Sequence, residues 1–399
     1  MTAIRAISAK EITMMQLRRI ALLPTLLLLL YSSAVTHAQA YPGVRASAFA
    51  GEPMHVSVMT QNMDAGTDLT FVIGGLLGVG GLTPDQAVAL TYQEIATPAI
   101  PQRAALLAAK VAAEKPDLLA LQEATLWRTG ASVDTATTVL FDQLELLRSS
   151  LATDGVPYDI VAVNSLTDVA LPFPASIGGA FRFTDRDVLL VRADLHRPAF
   201  HLSDVKSKIF TAEYPLAGLE IPSGYISVIV HSGDRDFRLI STHLQTAIEG
   251  DPAATAVQIA QARQILHDLH NSPLPAVIAG DFNSDAIAGT HGSGPDNTAT
   301  AALIEAAGYA DTWSVLNSFS YGPTWPFYLE DKYPPPFVVA SAPFERIDLI
   351  FSKDLNVTHV EHVVAPGPTS LVPFASDHAG VLAVFQFHEK GYEGRDHDR

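Results

Sequence analysis

Four β-type runs in this chain each stop abruptly on a polar or ionisable residue. Val56–Gln61 ends on Asn62, Leu118–Gln122 on Glu123, Leu239–Thr242 on His243, and Val277–Gly280 on Asp281 and Asn283. Runs this short suit buried strands better than helices, which need ten residues or more. Ligands in layered α/β proteins gather at strand ends, so residues placed there can converge on one cleft. A chain built this way is constrained to sheets whose ends, rather than faces, carry the chemistry.

The rest of the pattern agrees with a layered α/β architecture. Strands are predicted over His55–Gln61, Asp117–Gln122, Tyr158–Val163, Val188–Val191, Tyr225–Val230, Phe237–Thr242, Pro275–Ala279, Ile347–Phe351, Thr358–His362 and Val381–Phe387. Helical spacing covers Gln102–Lys115 (stopped by Pro116), Asp134–Ser149, Ala253–His270 and Thr298–Ala307, the last followed by Gly308 as a C-terminal stop. Two segments stand apart. Leu69–Leu82 is apolar but too rich in glycine for a good helix, and Tyr321–Phe344, dense in proline and aromatics, reads as a long ordered loop of the kind that often serves function. No internal repeat is visible.

Composition narrows the class. With 399 residues, 48% hydrophobic and 17% charged, the chain can bury a large core. The first forty residues carry Arg18 and Arg19, an apolar run Ile20–Leu30 broken by Pro24, and small residues leading to Ala38-Gln39-Ala40. That order is the signature of a secretory signal peptide, and the apolar run is too short to span a bilayer comfortably. The expectation is cleavage near Ala40, a secreted or periplasmic protein, a single domain over 41–387 without a transmembrane segment, and a disordered polar tail over 388–399. The absence of cysteine removes thiolate chemistry and Cys-ligated zinc, and leaves an exported fold to core burial alone. The net charge of −17 becomes about −20 once the four basic and one acidic residues of the signal are gone. Such a surface opposes long-range attraction of polyanions, although a bound metal can supply positive charge locally.

Taken singly, each polar strand end has an ordinary explanation. Asp281-Phe282-Asn283 is a common turn composition, His243 could be a satisfied core histidine, and Asp377-His378 could cap a helix. Their joint order is more specific. Gln61-Asn62-Met63-Asp64, Pro116-Asp117 through Gln122-Glu123, Ser241-Thr242-His243-Leu244, Gly280-Asp281-Phe282-Asn283, Arg346-Ile347-Asp348-Leu349-Ile350 and Ser376-Asp377-His378 follow one another in the order of a known superfamily. Over residues 55–387 the chain resembles the endonuclease/exonuclease/phosphatase superfamily, the group that includes deoxyribonuclease I.

The resemblance implies an α/β four-layer sandwich, with two mixed β-sheets face to face and helices flanking them. It implies a hydrolase of phosphate esters that uses Mg²⁺ or Mn²⁺, a hard cation suited to carboxylate and water ligands. Glu123 matches the principal metal ligand, Asn62 and Asp377 match positions that support or complete the metal site, and Asp64 an acidic residue present in part of the family. Asp281 and Asn283 match the pair that positions the attacking water and contacts the phosphate. His378 matches the general base and Asp348 its orienting carboxylate, and His243 a residue that binds phosphate or protonates the leaving oxygen. Asp187, preceded by Arg186, sits where deoxyribonuclease I carries the glutamate that holds its first histidine, although charged pairs entering a strand are also ordinary. His55, His231, His267, His270, His291, His359 and His362 match no motif.

A histidine at position 243 and an exported chain both argue against the abasic-site repair branch, which usually carries asparagine there. The partners expected are phosphate-ester substrates, for a protein read as a monomer. A phosphodiesterase of nuclease type comes first, then a neutral sphingomyelinase-like phospholipase or an inositol-phosphate phosphatase. Scarce Lys/Arg clusters and abundant apolar loops weaken the nuclease case. A binding module that has lost catalysis is the remaining class, but Glu123, Asp281, Asn283, Asp348, Asp377 and His378 are all present.

Overall fold

The computed structural model describes residues 54–387 apart from 68, 79–80, 97–98, 175–176, 196–198, 217–218, 249–250, 288–296, 330–338 and 371. The expected signal peptide and polar tail lie outside the described residues, as do His291, Tyr333 and the middle of the proline-rich segment.

The principal strands are β1 (Met54–Asn62), β2 (Leu118–Gln122), β3 (Leu126–Gly130), β4 (Thr138–Asp142), β5 (Tyr158–Pro172), β6 (Ala180–Arg192), β7 (Phe200–Ile209), β8 (Gly224–Ser232), β9 (Arg235–His243), β10 (Ala276–Asp281), β11 (Asp348–Lys353), β12 (Asn356–Val363) and β13 (Gly380–Phe387). The helices are α1 (Thr70–Leu77), α2 (Pro84–Ala96), α3 (Ile100–Glu114), α4 (Gln143–Thr153), α5 (Pro252–His270), α6 (Ala299–Ala306) and α7 (Thr312–Leu316). One sheet runs β12-β13-β1-β2-β6-β3-β4 with β5 also paired to β6. The second runs β11-β10-β9-β8-β7, with the short strand Ala310–Asp311 at the β11 edge.

Alternation along the strands decides how these sheets stack. Val56, Val58, Leu118, Ala120 and Leu189 of the first sheet meet Ile226, Val228, Leu239, Val277 and Ile350 of the second in one core. The opposite face of the first sheet, through Met59, Leu119, Leu121 and Leu190, buries Leu107 and Val111 of α3 and Leu144, Leu147 and Leu151 of α4. The far face of the second, through Tyr225, Ile240, Ile278 and Phe351, buries Ile265 and Leu269 of α5 and Ile304 of α6. Four layers result, as the resemblance implies. Strands β2 and β10, buried along their whole length, have two covered faces, which explains their unbroken apolar runs.

Register places the chemistry. Strand β1 runs parallel to β2 with Asn62 opposite Gln122. In the second sheet His243 of β9 stands opposite Asp281 of β10, and Asp281 opposite Asp348 of β11, so three polar residues form one cross-strand row. Gly280 is needed here, because a Cβ at this position would lie 2.0 Å from the Thr242 carbonyl oxygen.

Two expectations are corrected. Leu69–Leu82 contains a helix, α1, in spite of Gly74 and Gly75, and a further helix, α2, follows it. The glycines serve packing, since a Cβ on Gly75 would come within 2.5 Å of the Ala87 Cβ. Together with Ala65, Trp127, Phe181 and Phe183, the helices' Val72, Val88 and Ile95 form a satellite core. The helix expected over Asp134–Ser149 starts only at Gln143, after Asp142, whose carboxylate accepts the Glu145 N–H as an N-cap at 3.3 Å. Residues before it, rich in β-branched Thr and Val, instead pair as β4 with β3. Strand β7 had no counterpart in the sequence reading. Among the described residues no helix is long and apolar enough to cross a membrane.

Candidate active site

Asn62, at the end of β1, is fully buried and uses both ends of its amide. Its Nδ2 donates to Glu123 Oε1 at 2.9 Å and to Asp281 Oδ2 at 3.0 Å, and its Oδ1 accepts the Asp64 N–H at 2.9 Å. It thereby ties the end of the first sheet to the end of the second. Glu123 follows β2 with a φ of +53°, a left-handed turn that swings the chain from β2 toward β3. Its Oε2 accepts the Ala65 N–H at 2.7 Å. Asp281 Oδ1 accepts the Asn283 N–H at 2.8 Å, and the Asn283 amide donates to the Leu244 carbonyl at 2.9 Å and faces His243 Nε2 at 3.1 Å.

On the other side of Asp281, His378 Nδ1 meets Asp348 Oδ2 at 2.8 Å. Asp348 is held by its own N–H, which donates to Thr324 Oγ1 at 3.1 Å, while its Oδ1 has no hydrogen-bond partner. Asp377 accepts from the Trp325 indole at 2.8 Å, and its other oxygen lies 3.9 Å from His378 Nε2. Asp64, also at positive φ, is engaged by Arg103 at 2.8 Å, by the Gly66 N–H at 2.6 Å and by the Tyr328 hydroxyl. Asp187 is buried 3.9 Å from His243 Nδ1, beyond hydrogen-bond range, with both carboxylate oxygens unpartnered. All ten residues singled out in the sequence thus meet at one end of the sandwich.

The charge here is unbalanced. Burial raises Asp377 to about 7, against the pull of His378, with Asp64 and Glu123 raising it further. Burial also takes Asp348 to about 6, partly offset by His378. Asp187 is raised well above the usual carboxylate range, by burial first and by Asp185, Glu123 and Asp281, against the pull of His243. Burial would lower His243, but Asp281, Asp187, Glu123 and Asp185 overcome it and carry it to about 9. His378 likewise rises well above 6.5, because Asp348 and Asp377 outweigh its burial. Buried carboxylates that raise one another call for a cation, and all-oxygen donors suit a hard one. Glu123 and Asp377 fit that role; Asp64, held by Arg103, the Gly66 N–H and the Tyr328 hydroxyl, also anchors the loop after β1. A second donor set exists among the described residues, as ligand atoms of Asp281, Asp348 and His378 lie within 4.8 Å of one another.

Several contributors carried no signal in the sequence. Asp185 lies two residues before Asp187 on β6, where the strand's edge passes from β3, which pairs through Thr184, to β2, which pairs from Val188. One of its oxygens is buried without a partner, and burial, then Glu123, raises it to about 6 against His243. Arg103 donates to the Met63, Asp64 and Ala375 carbonyls and so locks the loop after β1 to the turn before His378.

A four-layer fold with a carboxylate, imidazole and amide cluster at its strand ends is the arrangement the resemblance to deoxyribonuclease I-like phosphoester hydrolases implies. The family model described as "Endonuclease/Exonuclease/phosphatase family" matches residues 98–378, and the chain belongs to this family. Its members generally depend on divalent metal. Among solved structures, an endonuclease/exonuclease/phosphatase from Beutenbergia cavernae is 23% identical with a TM-score of 0.50, over 84% of this chain and 72% of that one. A Bacteroides thetaiotaomicron family protein is 14% identical (TM-score 0.49, 84% and 99% covered), and humanized D. rerio TDP2 15% identical (TM-score 0.46, 84% and 99% covered). Comparison with curated proteins gave no significant match.

Proposed function

We propose that this chain is an exported phosphodiesterase in which water, deprotonated by the His378–Asp348 pair, attacks phosphorus. The observation that carries this reading is the cross-strand row His243–Asp281–Asp348 with His378 bonded to its end at 2.8 Å. It sets an acid, an orienting pair and a base side by side. The His378 Nδ1–H donates a hydrogen bond to Asp348, leaving Nε2 to take a proton from water. Asp281 and Asn283 orient that water and the phosphate. His243, on the far side of Asp281, donates to the leaving oxygen, with Asp187 and Asp185 behind it stabilising its positive charge. Glu123 and Asp377, with Asn62 steadying Glu123, would hold Mg²⁺ or Mn²⁺. The chemistry such an ion would supply is polarisation of the phosphoryl oxygens and an offset to the negative field that otherwise keeps His378 protonated.

Electrostatics favour one substrate class. Arg103, Arg186 and Arg346, the arginines closest in sequence or bonding to the site, are each paired with a carboxylate, Asp64, Asp142 and Asp311 respectively. With the net charge at −17, little cationic surface is left for a polyanion. Aromatic groups border the site instead: Phe344, 39% exposed, packs edge-on against Trp325, and Phe327 packs against Phe374. A phosphodiester on a neutral or zwitterionic organic carrier, such as a choline phospholipid or sphingomyelin, fits better than DNA, RNA or an inositol polyphosphate. A substrate panel with and without Mg²⁺ tests this. Choline-lipid turnover exceeding that of nucleic acid supports it, and preferential cleavage of DNA or RNA refutes the choice of substrate while leaving the chemistry intact.

A further inference from the structure

Residues Thr324–Tyr328 form a strap across the site. Thr324 Oγ1 accepts the Ile347 and Asp348 N–H groups at 3.1 Å each, and the Thr324 carbonyl accepts the Ala379 N–H at 2.8 Å. The Phe327 N–H donates to the Asp377 carbonyl at 2.7 Å. Two side chains of the same strap reach acids directly: the Trp325 indole N–H donates to Asp377 Oδ2 at 2.8 Å, and the Tyr328 hydroxyl, 2% exposed, donates to Asp64 Oδ2. Thr324, Trp325, Phe327 and Tyr328 therefore engage the backbone or side chains of Asp348, Asp377, Ala379 and Asp64. The polar edge of the Trp325 indole is thus committed to a carboxylate. Its ring is backed by Phe344, with centroids 5.9 Å apart.

We propose that Trp325 is a positioning residue for the divalent-cation site, its indole N–H fixing Asp377 through Oδ2 so that Oδ1 is the oxygen presented for ligation. The inference rests on Glu123 and Asp377 being the cation-holding pair. A carboxylate with one oxygen pinned loses less rotational freedom on binding an ion, and outer hydrogen bonds of this kind change metal affinity about 10–100-fold when removed. Neutral indole suits the task, since an ammonium or guanidinium there would compete with the cation.

The test is the Mn²⁺ dissociation constant of the purified full chain, read by electron paramagnetic resonance without substrate. Trp325→Phe keeps an aromatic ring against Phe344 while removing the N–H donor together with the second ring of the indole. Its Kd should rise about 10-fold or more. Activity lost at limiting Mn²⁺ should return at saturating Mn²⁺, with KM for a small phosphodiester unchanged. Phe344→Ala, which removes the backing ring but no hydrogen bond, should leave the Kd within about twofold, well below the 10-fold scale of a lost outer hydrogen bond. A Trp325→Phe protein that binds Mn²⁺ as the unmodified chain does overturns the proposal. The unmodified chain offers a second reading that does not depend on the variant folding. Of its three tryptophan indole N–H resonances, that of Trp325 should move as Mg²⁺ is titrated, and its failure to move also overturns the proposal. Glu123→Gln separates the layers. If it loses Mn²⁺ while Trp325→Phe does not, only the strap idea fails; if it binds Mn²⁺ normally, the underlying cation site is wrong.

Discussion

Removing Asp348 while keeping His378 isolates the orienting half of the proposed base. Asp348 is 1% exposed, and its Oδ2 lies 2.8 Å from His378 Nδ1, so the bond is short, charge-assisted and shielded from water. Hydrogen bonds to charged groups contribute about 1.5–3 kcal/mol. If that amount is realised only as the imidazole becomes imidazolium, Asp348→Ala should lower kcat by roughly 10- to 150-fold. His378→Ala, which removes the base itself, should cost about 10²- to 10⁴-fold. Because Asp348 acts only through His378, the double variant should be no slower than His378→Ala. Steady-state rates on bis-p-nitrophenyl phosphate at saturating Mn²⁺ provide the assay, with Mn²⁺ affinity measured alongside. Losses that multiply in the double variant would refute the shared role. So would a Mn²⁺ affinity that collapses in Asp348→Ala while kcat at saturation survives, since the cluster Asp281, Asp348 and His378 would then be the metal site rather than the base.

Three further outcomes follow from the same contacts. Glu123→Gln should weaken Mn²⁺ binding while the thermal unfolding of the metal-free protein stays within a few degrees of the parent, as differential scanning fluorimetry with and without metal will show. Gly280→Ala places a Cβ 2.0 Å from the Thr242 carbonyl oxygen, so overpacking should cost about 1–3 kcal/mol in chemical denaturation and slow turnover by shifting Asp281. His362, stacked on Trp313 at 3.8 Å, has its pKa lowered to about 4 by burial first and by Arg346 second. With the folded value below the unfolded one, stability is intact above pH 6.5 and falls as pH drops toward 4. The loss should reach about 2 kcal/mol by pH 5, and His362→Phe should abolish that part of the slope in urea titrations at pH 7 and pH 5.

How much could be read before the fold was known depended on the range of the interaction. Buried strands such as β2 and β10 write themselves into short apolar runs, and the polar residues closing those runs were visible as candidates. The row of His243, Asp281 and Asp348 was not, because adjacency there comes from strand pairing between residues 38 and 67 apart. Asp185 was invisible for the same reason: it matters because β6 exchanges one neighbour for another beside it. Local propensity misled twice. Glycines argued against α1, yet Gly75 exists to let α2 approach, a tertiary demand that outweighs intrinsic cost. Asp134–Ser149 had helical spacing throughout, but its first half gains more by pairing with β3. Trp325 lies in a segment dense in aromatics, and only the fold turns its indole toward Asp377.

The central claim is that a divalent cation held at the strand ends drives phosphodiester hydrolysis, and metal removal tests it most directly. Purified protein dialysed against EDTA should show no turnover of bis-p-nitrophenyl phosphate, and Mn²⁺ or Mg²⁺ should restore it in the parent far more effectively than in Glu123→Gln. Undiminished hydrolysis in excess EDTA, or equal restoration in Glu123→Gln at limiting metal, would contradict the account.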